Sequence, residues 1–211
     1  MIRRCRRFAL AAAASVLLAC TPSLASAAIE ISPMVGWYVP TNSIQKDASA
    51  GLYLLEAEPA PTFGARLTWL SSSRFGFEAS AMGAFGNHSL LTIQSASRTI
   101  FADARLRVRL TGTESPTTVF LTGGVGIVKV TDSLVGLVPE AAFEFKSVTD
   151  GVIGFGLGLP VNEHWSLRLD VEDHFYQADV ESDESFIFRD GGRSQNDIVA
   201  SLGIVVPIGR R

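Results

Sequence analysis

Beyond residue 20 the chain has no cysteine; its two, Cys5 and Cys20, both lie near the N-terminus. Disulfides and thiolate metal sites are therefore excluded from the rest of the chain. Long apolar runs are missing as well. The best candidate, residues 119–138, is broken by Lys129 and Asp132, whereas a membrane-spanning helix needs about 18–20 apolar residues in succession. Positive charge is in the minority, with 18 Lys+Arg against 21 Asp+Glu and a net charge of −3, so no nucleic-acid partner is expected. Phosphate loops are absent: Gly123, Gly124 and Gly126, like Gly154, Gly156 and Gly158, lie inside alternating stretches with no helix to follow. No cofactor and no metal is expected. Yet the mean hydropathy is +0.26, high for a chain without a helical span.

What is present is alternation. In residues 151–177, Ile153, Phe155, Leu157 and Leu159 alternate with glycines, and Trp165, Leu167, Leu169 and Val171 alternate with Ser166, Arg168, Asp170 and Glu172. A short turn, Pro160 to His164, separates the two halves. Period-two patterning on both sides of a turn predicts a β-hairpin with one apolar face. The other face carries glycines on one strand and charges on its partner. The pattern recurs at 29–39, 62–70, 74–86, 98–110, 117–131 and 195–208, which makes eight strands. Long connections (40–61, 87–97, 132–147, 178–194) alternate with short turns. The predicted fold is all-β: an eight-stranded antiparallel transmembrane β-barrel, an up-and-down meander with lipid outside and a polar lumen.

The N-terminus reads as a signal peptide over residues 1–27, followed by one barrel domain over 28–211. Arg3, Arg4, Arg6 and Arg7 precede an apolar run from Phe8 to Ala19, and Ala25-Ser26-Ala27 supplies a small-residue cleavage site. Cleavage there removes four bases and no acid, leaving 18 − 4 = 14 bases against 21 acids. Leu17-Leu18-Ala19-Cys20 also reads as a lipobox, which would place a lipid on Cys20 instead.

With these residues on the page, the chain resembles the small outer-membrane β-barrel domain family, the OmpA/OmpX-like group. VGWYVPTNS, FGARLTWL, FADARLRVRL, FLTGGVGIVKV and FGLGLPVNEHWSLRLDVEDHFY carry the resemblance, across nearly all of residues 29–209. It implies the bacterial outer membrane of a Gram-negative-type cell and partners among outer-membrane lipids and lipopolysaccharide. It also implies assembly by the barrel-assembly machinery, and a monomer. Such barrels usually finish on a terminal aromatic; this chain finishes Ile208-Gly209-Arg210-Arg211.

The inward charges expected from parity are Arg66, Glu78, Asp103, Arg105, Arg107, Arg168, Asp170 and Glu172. Four of each sign in a narrow lumen should pair, because an unpaired buried charge is costly, and neighbouring glycines should make room for the arginines. The function expected is non-enzymatic: a structural or loop-mediated interaction role with a charge-plugged lumen. Two alternatives stand beside it. His164 and Ser166, two apart, share a strand face as a base and nucleophile would. They resemble the H-x-S pair of outer-membrane lipid A deacylases, with Glu172 or Asp173 as the acid. A lipocalin-like carrier, anchored through Cys20, would instead need an apolar lumen. His88 and His174 read as isolated. Trp37, Tyr38, Trp69, Trp165, Phe175 and Tyr176 read as interfacial girdles. Asp179, Glu181, Asp183, Glu184 and Asp190 read as a solvated acidic loop.

Overall fold

The computed structural model describes residues 28–41, 44–45, 54–71, 74–90, 93–133, 142–144, 147–178 and 193–208. The leader with its cleavage or lipidation site, the acidic stretch 179–190 and the last three residues lie outside these. The described residues form eight long strands: β1 (Ala28–Pro40), β2 (Ala60–Leu70), β3 (Phe75–Leu90), β4 (Ile93–Arg109), β5 (Thr118–Ser133), β6 (Val148–Pro160), β7 (Ser166–Ala178) and β8 (Arg193–Ile208). Each pairs antiparallel with its neighbours in sequence, and β1 also pairs with β8, which closes the sheet.

The register fixes the barrel's shape. Starting at Glu30, partners run through Thr68, Glu78, Arg105, Gly124, Val152, His174 and Asp197, and return to β1 at Pro40. One circuit thus climbs from residue 30 to residue 40, a shear of ten. With strands about 4.8 Å apart and a rise of about 3.3 Å per residue, that shear tilts the strands by roughly 40°. The strand ends that flank the turns after Leu70, Arg109 and Pro160 share one end of the barrel with Ala28 and Ile208, the short-turn end; the strand ends at Pro40, Leu90, Ser133 and Ala178 share the other, the long-connection end.

Burial is inverted relative to a water-soluble fold. The buried residues include Arg66, Glu78, Arg105, Arg168, Asp170, Glu172, His174 and Asp197, whereas Val35, Trp37, Phe63, Val125, Ile153, Phe155 and Val171 are all more than half exposed. Water would reverse that choice; a bilayer makes it favourable, because a closed ladder pairs its backbone groups within the sheet and leaves no open edge.

Two expectations are corrected here. Residues 87–97, predicted as a long connection, are mostly strand: β3 continues to Leu90 and β4 starts at Ile93, with Leu90 paired to Ile93. Above the lipid band neither face needs to be apolar. The hydrophobic alternation therefore fades there while the backbone ladder carries on. Tyr38 and Tyr176, predicted in the aromatic girdle, are 5% and 7% exposed and point inward; their neighbours Trp37 and Phe175 take the outer face.

Candidate functional site: the charged barrel interior

Glycine makes the interior possible. Across the ladder, Arg105 faces Gly124, Asp103 faces Gly126, Glu172 faces Gly154, Asp170 faces Gly156, and Arg168 lies between Gly158 and Gly203. At Gly126 a Cβ would stand 2.6 Å from both Ala102 O and Asp103 Cβ. At Gly124 and Gly126 the neighbouring backbone approaches too closely for a Cβ, and the long side chains take the space that the glycines leave.

The charged layer sits toward the short-turn end. Arg168 clamps Glu78 with two bonds, Nη1–Oε1 at 2.7 Å and Nη2–Oε2 at 2.9 Å, while its Nε donates to Asp170 Oδ2 at 2.8 Å. Arg66 spans the lumen to Glu172 and holds Asp170 Oδ2 at 3.1 Å. Arg105 donates to Glu172 and Asp103, and its Nη2 reaches Ser80 Oγ at 3.0 Å. Arg107 lies at the edge, 3.6 Å from Glu30 and from Glu78. Two guanidiniums lie over the Phe120 ring, with Arg107 Cζ at 4.1 Å and Arg168 Cζ at 4.3 Å from its centre. All eight parity-predicted charges are inside; Arg107 alone is not fully buried.

Parity reasoning missed a second group nearer the long-connection end. His174 is not isolated. It is fully buried, its Nδ1 lies 2.7 Å from Asp150 Oδ2, and the Phe101 ring packs 4.5 Å from it. Tyr38 and Tyr176 both donate to Asp197 Oδ2, at 3.0 and 2.5 Å. At the opposite, short-turn end Glu30 adds a further carboxylate beside Arg107. The signal existed in the sequence: Asp150 shares parity with Gly154 and Gly156, His174 with Glu172, and Asp197 lies opposite to Ile198. The predicted balance of four against four therefore gives way to an acidic interior. Among the described residues seven buried carboxylates (Glu30, Glu78, Asp103, Asp150, Asp170, Glu172, Asp197) face three buried guanidiniums (Arg66, Arg105, Arg168), two half-buried ones at the rim (Arg107, Arg109) and one imidazole. Beyond them Tyr38, Met82, Phe101, Val128, Tyr176 and Val199 pack into an apolar layer.

At the short-turn end the lumen opens into a cavity of about 460 Å³ lined by Glu30, Arg107, Arg109, Phe120, His164 and Ser166 among others. His164 is exposed in a turn organised by Asn162, whose Oδ1 accepts from the His164 and Trp165 backbone N–H groups at 2.8 and 3.0 Å. No hydrogen bond joins His164 to Ser166. Glu172 is committed to Arg66 and Arg105, and Asp173 accepts from Asn196 at 3.3 Å. The pair thus lacks the base–nucleophile contact and the orienting acid that acyl transfer requires. A charged interior is equally unlike the apolar lumen of a lipid carrier.

An inverted, closed, eight-stranded antiparallel barrel is the fold of bacterial outer-membrane proteins. No family model matches the sequence, and no curated protein matches it in sequence. Solved structures do. The chain is similar to the outer membrane protein OprG of Pseudomonas aeruginosa, with a TM-score of 0.66 at 12% identity, covering 88% of this chain and 97% of that one. It is similar to the Escherichia coli outer membrane protein W (TM-score 0.54, 12% identity, 88% and 100% covered). It is also similar to the Neisserial surface protein A (0.54, 9%, 85% and 96%). An outer membrane enzyme, PagL, matches at a TM-score of 0.40, too distant to bear on activity.

Proposed function

We propose that this protein is a non-enzymatic, monomeric barrel of the bacterial outer membrane whose lumen is closed by charge pairing. Its role is structural or is exercised by contacts at the long-connection end. Outer-membrane lipid and lipopolysaccharide are its surroundings, and it reaches them through the barrel-assembly machinery. The observation that carries this reading is the layer of Arg66, Arg105 and Arg168 with Glu78, Asp170 and Glu172, each no more than 4% exposed, spanning the lumen from β2 to β7. Eight strands leave an interior that side chains can fill, and a second, apolar layer stacks on the first.

The test is electrical. Purified protein in planar bilayers should give conductance near background. A stable, well-defined single-channel current would overturn the closed lumen and move the reading to transport.

A further inference from the structure

The outer surface of the barrel holds a second feature, unrelated to the lumen. Among the described residues on the lipid-facing parity of the eight strands, only three are charged: Arg98, Lys129 and Asp173. Asp173 sits beside Asn196 on β8, which donates to it. The two cations are together. Arg98 on β4 pairs with Thr131 and Phe85, and the next outward row holds Ile100 opposite to Lys129. Arg98 and Lys129 are therefore diagonal neighbours on adjacent strands, about 7–8 Å apart at the backbone.

Their height matters. Along β4 and just past its end, the outward residues between the turn and Arg98 are Leu110, Val108, Leu106, Ala104, Ala102 and Ile100. Ten residues at about 3.4 Å each, tilted by roughly 40°, give an apolar band about 26 Å tall, close to the ~25 Å that a transmembrane barrel presents to lipid. Arg98 is the first outward residue past that band, on the long-connection side. The same strands carry no outward cation at the turn end. A cation at the bilayer centre costs about 2–4 kcal/mol but little at the interface, so this is where a charge pair can stand facing lipid headgroups.

A lone cation here would be ordinary snorkelling. This pair is built further: the Arg98 guanidinium rests over the Phe85 ring, with Cζ 5.0 Å from its centre, and Phe85 packs against Phe63 with centroids 6.5 Å apart. An aromatic face engages the guanidinium without consuming its N–H donors, the groups that grip a phosphate. Below lie Ile100, Val125 and Ile127, 38%, 65% and 52% exposed, a surface for acyl chains.

We infer that Arg98, Lys129 and the Phe85 ring form a site for the phosphate of a glycolipid headgroup in the leaflet on the long-connection side. The inference rests on the outer-membrane reading above, because phosphorylated glycolipid belongs to the outer leaflet of that membrane.

The full chain, folded in detergent, is titrated with bisphosphorylated lipid A, with its dephosphorylated form and with phosphatidylglycerol; bound lipid is counted by native mass spectrometry. Native protein should retain lipid A, and the Arg98→Gln/Lys129→Gln variant should bind it about tenfold or more weakly, as expected when about 1.4 kcal/mol or more of contact is lost. Dephosphorylated lipid should bind both proteins equally weakly. Equal lipid A affinity in native and variant protein overturns the site, and so does tight binding of the dephosphorylated form. Phosphatidylglycerol binding as tightly as lipid A overturns the glycolipid assignment. A heat-modifiability gel on each sample separates this outcome from failure of the barrel reading, since an unfolded or soluble chain shows no shift. If the double variant does not fold, Lys129→Gln alone is read the same way.

Discussion

Arg168 shows how one residue is made tolerable inside a membrane barrel. Glycines on both flanking strands admit it, and Glu78 and Asp170 neutralise it. Arg168→Met would leave Glu78 with two distant cations, Arg66 Nε at 3.8 Å and Arg107 Nη1 at 3.6 Å. A loss of about 3–5 kcal/mol is expected, because breaking one side of a buried pair strands the other. The paired change Glu78→Gln/Arg168→Met should recover most of it. Unfolding temperatures on heat-modifiability gels check both; a double variant no better than the single one contradicts the pairing. The glycines make a second prediction. An added Cβ at Gly124 would meet the Ala104 backbone oxygen at 2.1 Å, which cannot move aside, whereas at Gly158 the nearest atom is Thr118 Cβ at 3.4 Å. Gly124→Ala should cost about 1–3 kcal/mol, and Gly158→Ala much less by the same gel.

At the scale of elements, the long-connection end of β7 is tied to both its neighbours, and β1 shares one of the ties. Tyr176 reaches Asp197 on β8, Tyr38 reaches the same oxygen from β1, and His174 holds Asp150 on β6. Either tyrosine alone still satisfies Asp197 Oδ2. Tyr38→Phe and Tyr176→Phe should therefore each cost about 1 kcal/mol, and the double variant more than their sum, since a buried carboxylate oxygen then loses both donors. Guanidinium unfolding of the refolded barrel measures the coupling. Strict additivity would mean that the two hydroxyls do not share one acceptor in solution. The β3–β4 hairpin makes a different point: it runs past the lipid band as a paired ribbon, held by backbone hydrogen bonds after its hydrophobic alternation has ended.

For the whole molecule the open question is orientation. Both ends of the described barrel chain, Ala28 and Ile208, sit with the short turns, the arrangement in which the longer connections face outward. The chain after Cys20 has no cysteine, so single introduced thiols report cleanly. Asn87, exposed on β3 at the long-connection end, and Glu163, exposed in the β6–β7 turn, mark the two ends. On intact cells a membrane-impermeant maleimide should label Asn87→Cys and spare Glu163→Cys until the outer membrane is opened. The reverse pattern would invert the topology, and with it the leaflet assigned to Arg98 and Lys129.

Period-two alternation by itself determined the strand count, the closed antiparallel class and which of Arg66, Glu78, Arg105 and Arg168 turn inward, because side chains on a strand alternate faces without exception. The same rule would have placed Asp150, His174 and Asp197, which lie near strand ends where apolar partners thin out and the pattern loses contrast. Tyr38 and Tyr176 were misplaced because an aromatic near a strand end suits either the girdle or the lumen, and only register decides. Which charges meet was beyond the sequence altogether. Arg66 and Glu172 are 106 positions apart and on strands that never touch, and they meet across the lumen. Their contact depends on the shear of ten, a property of the closed circuit that no single strand or hairpin contains.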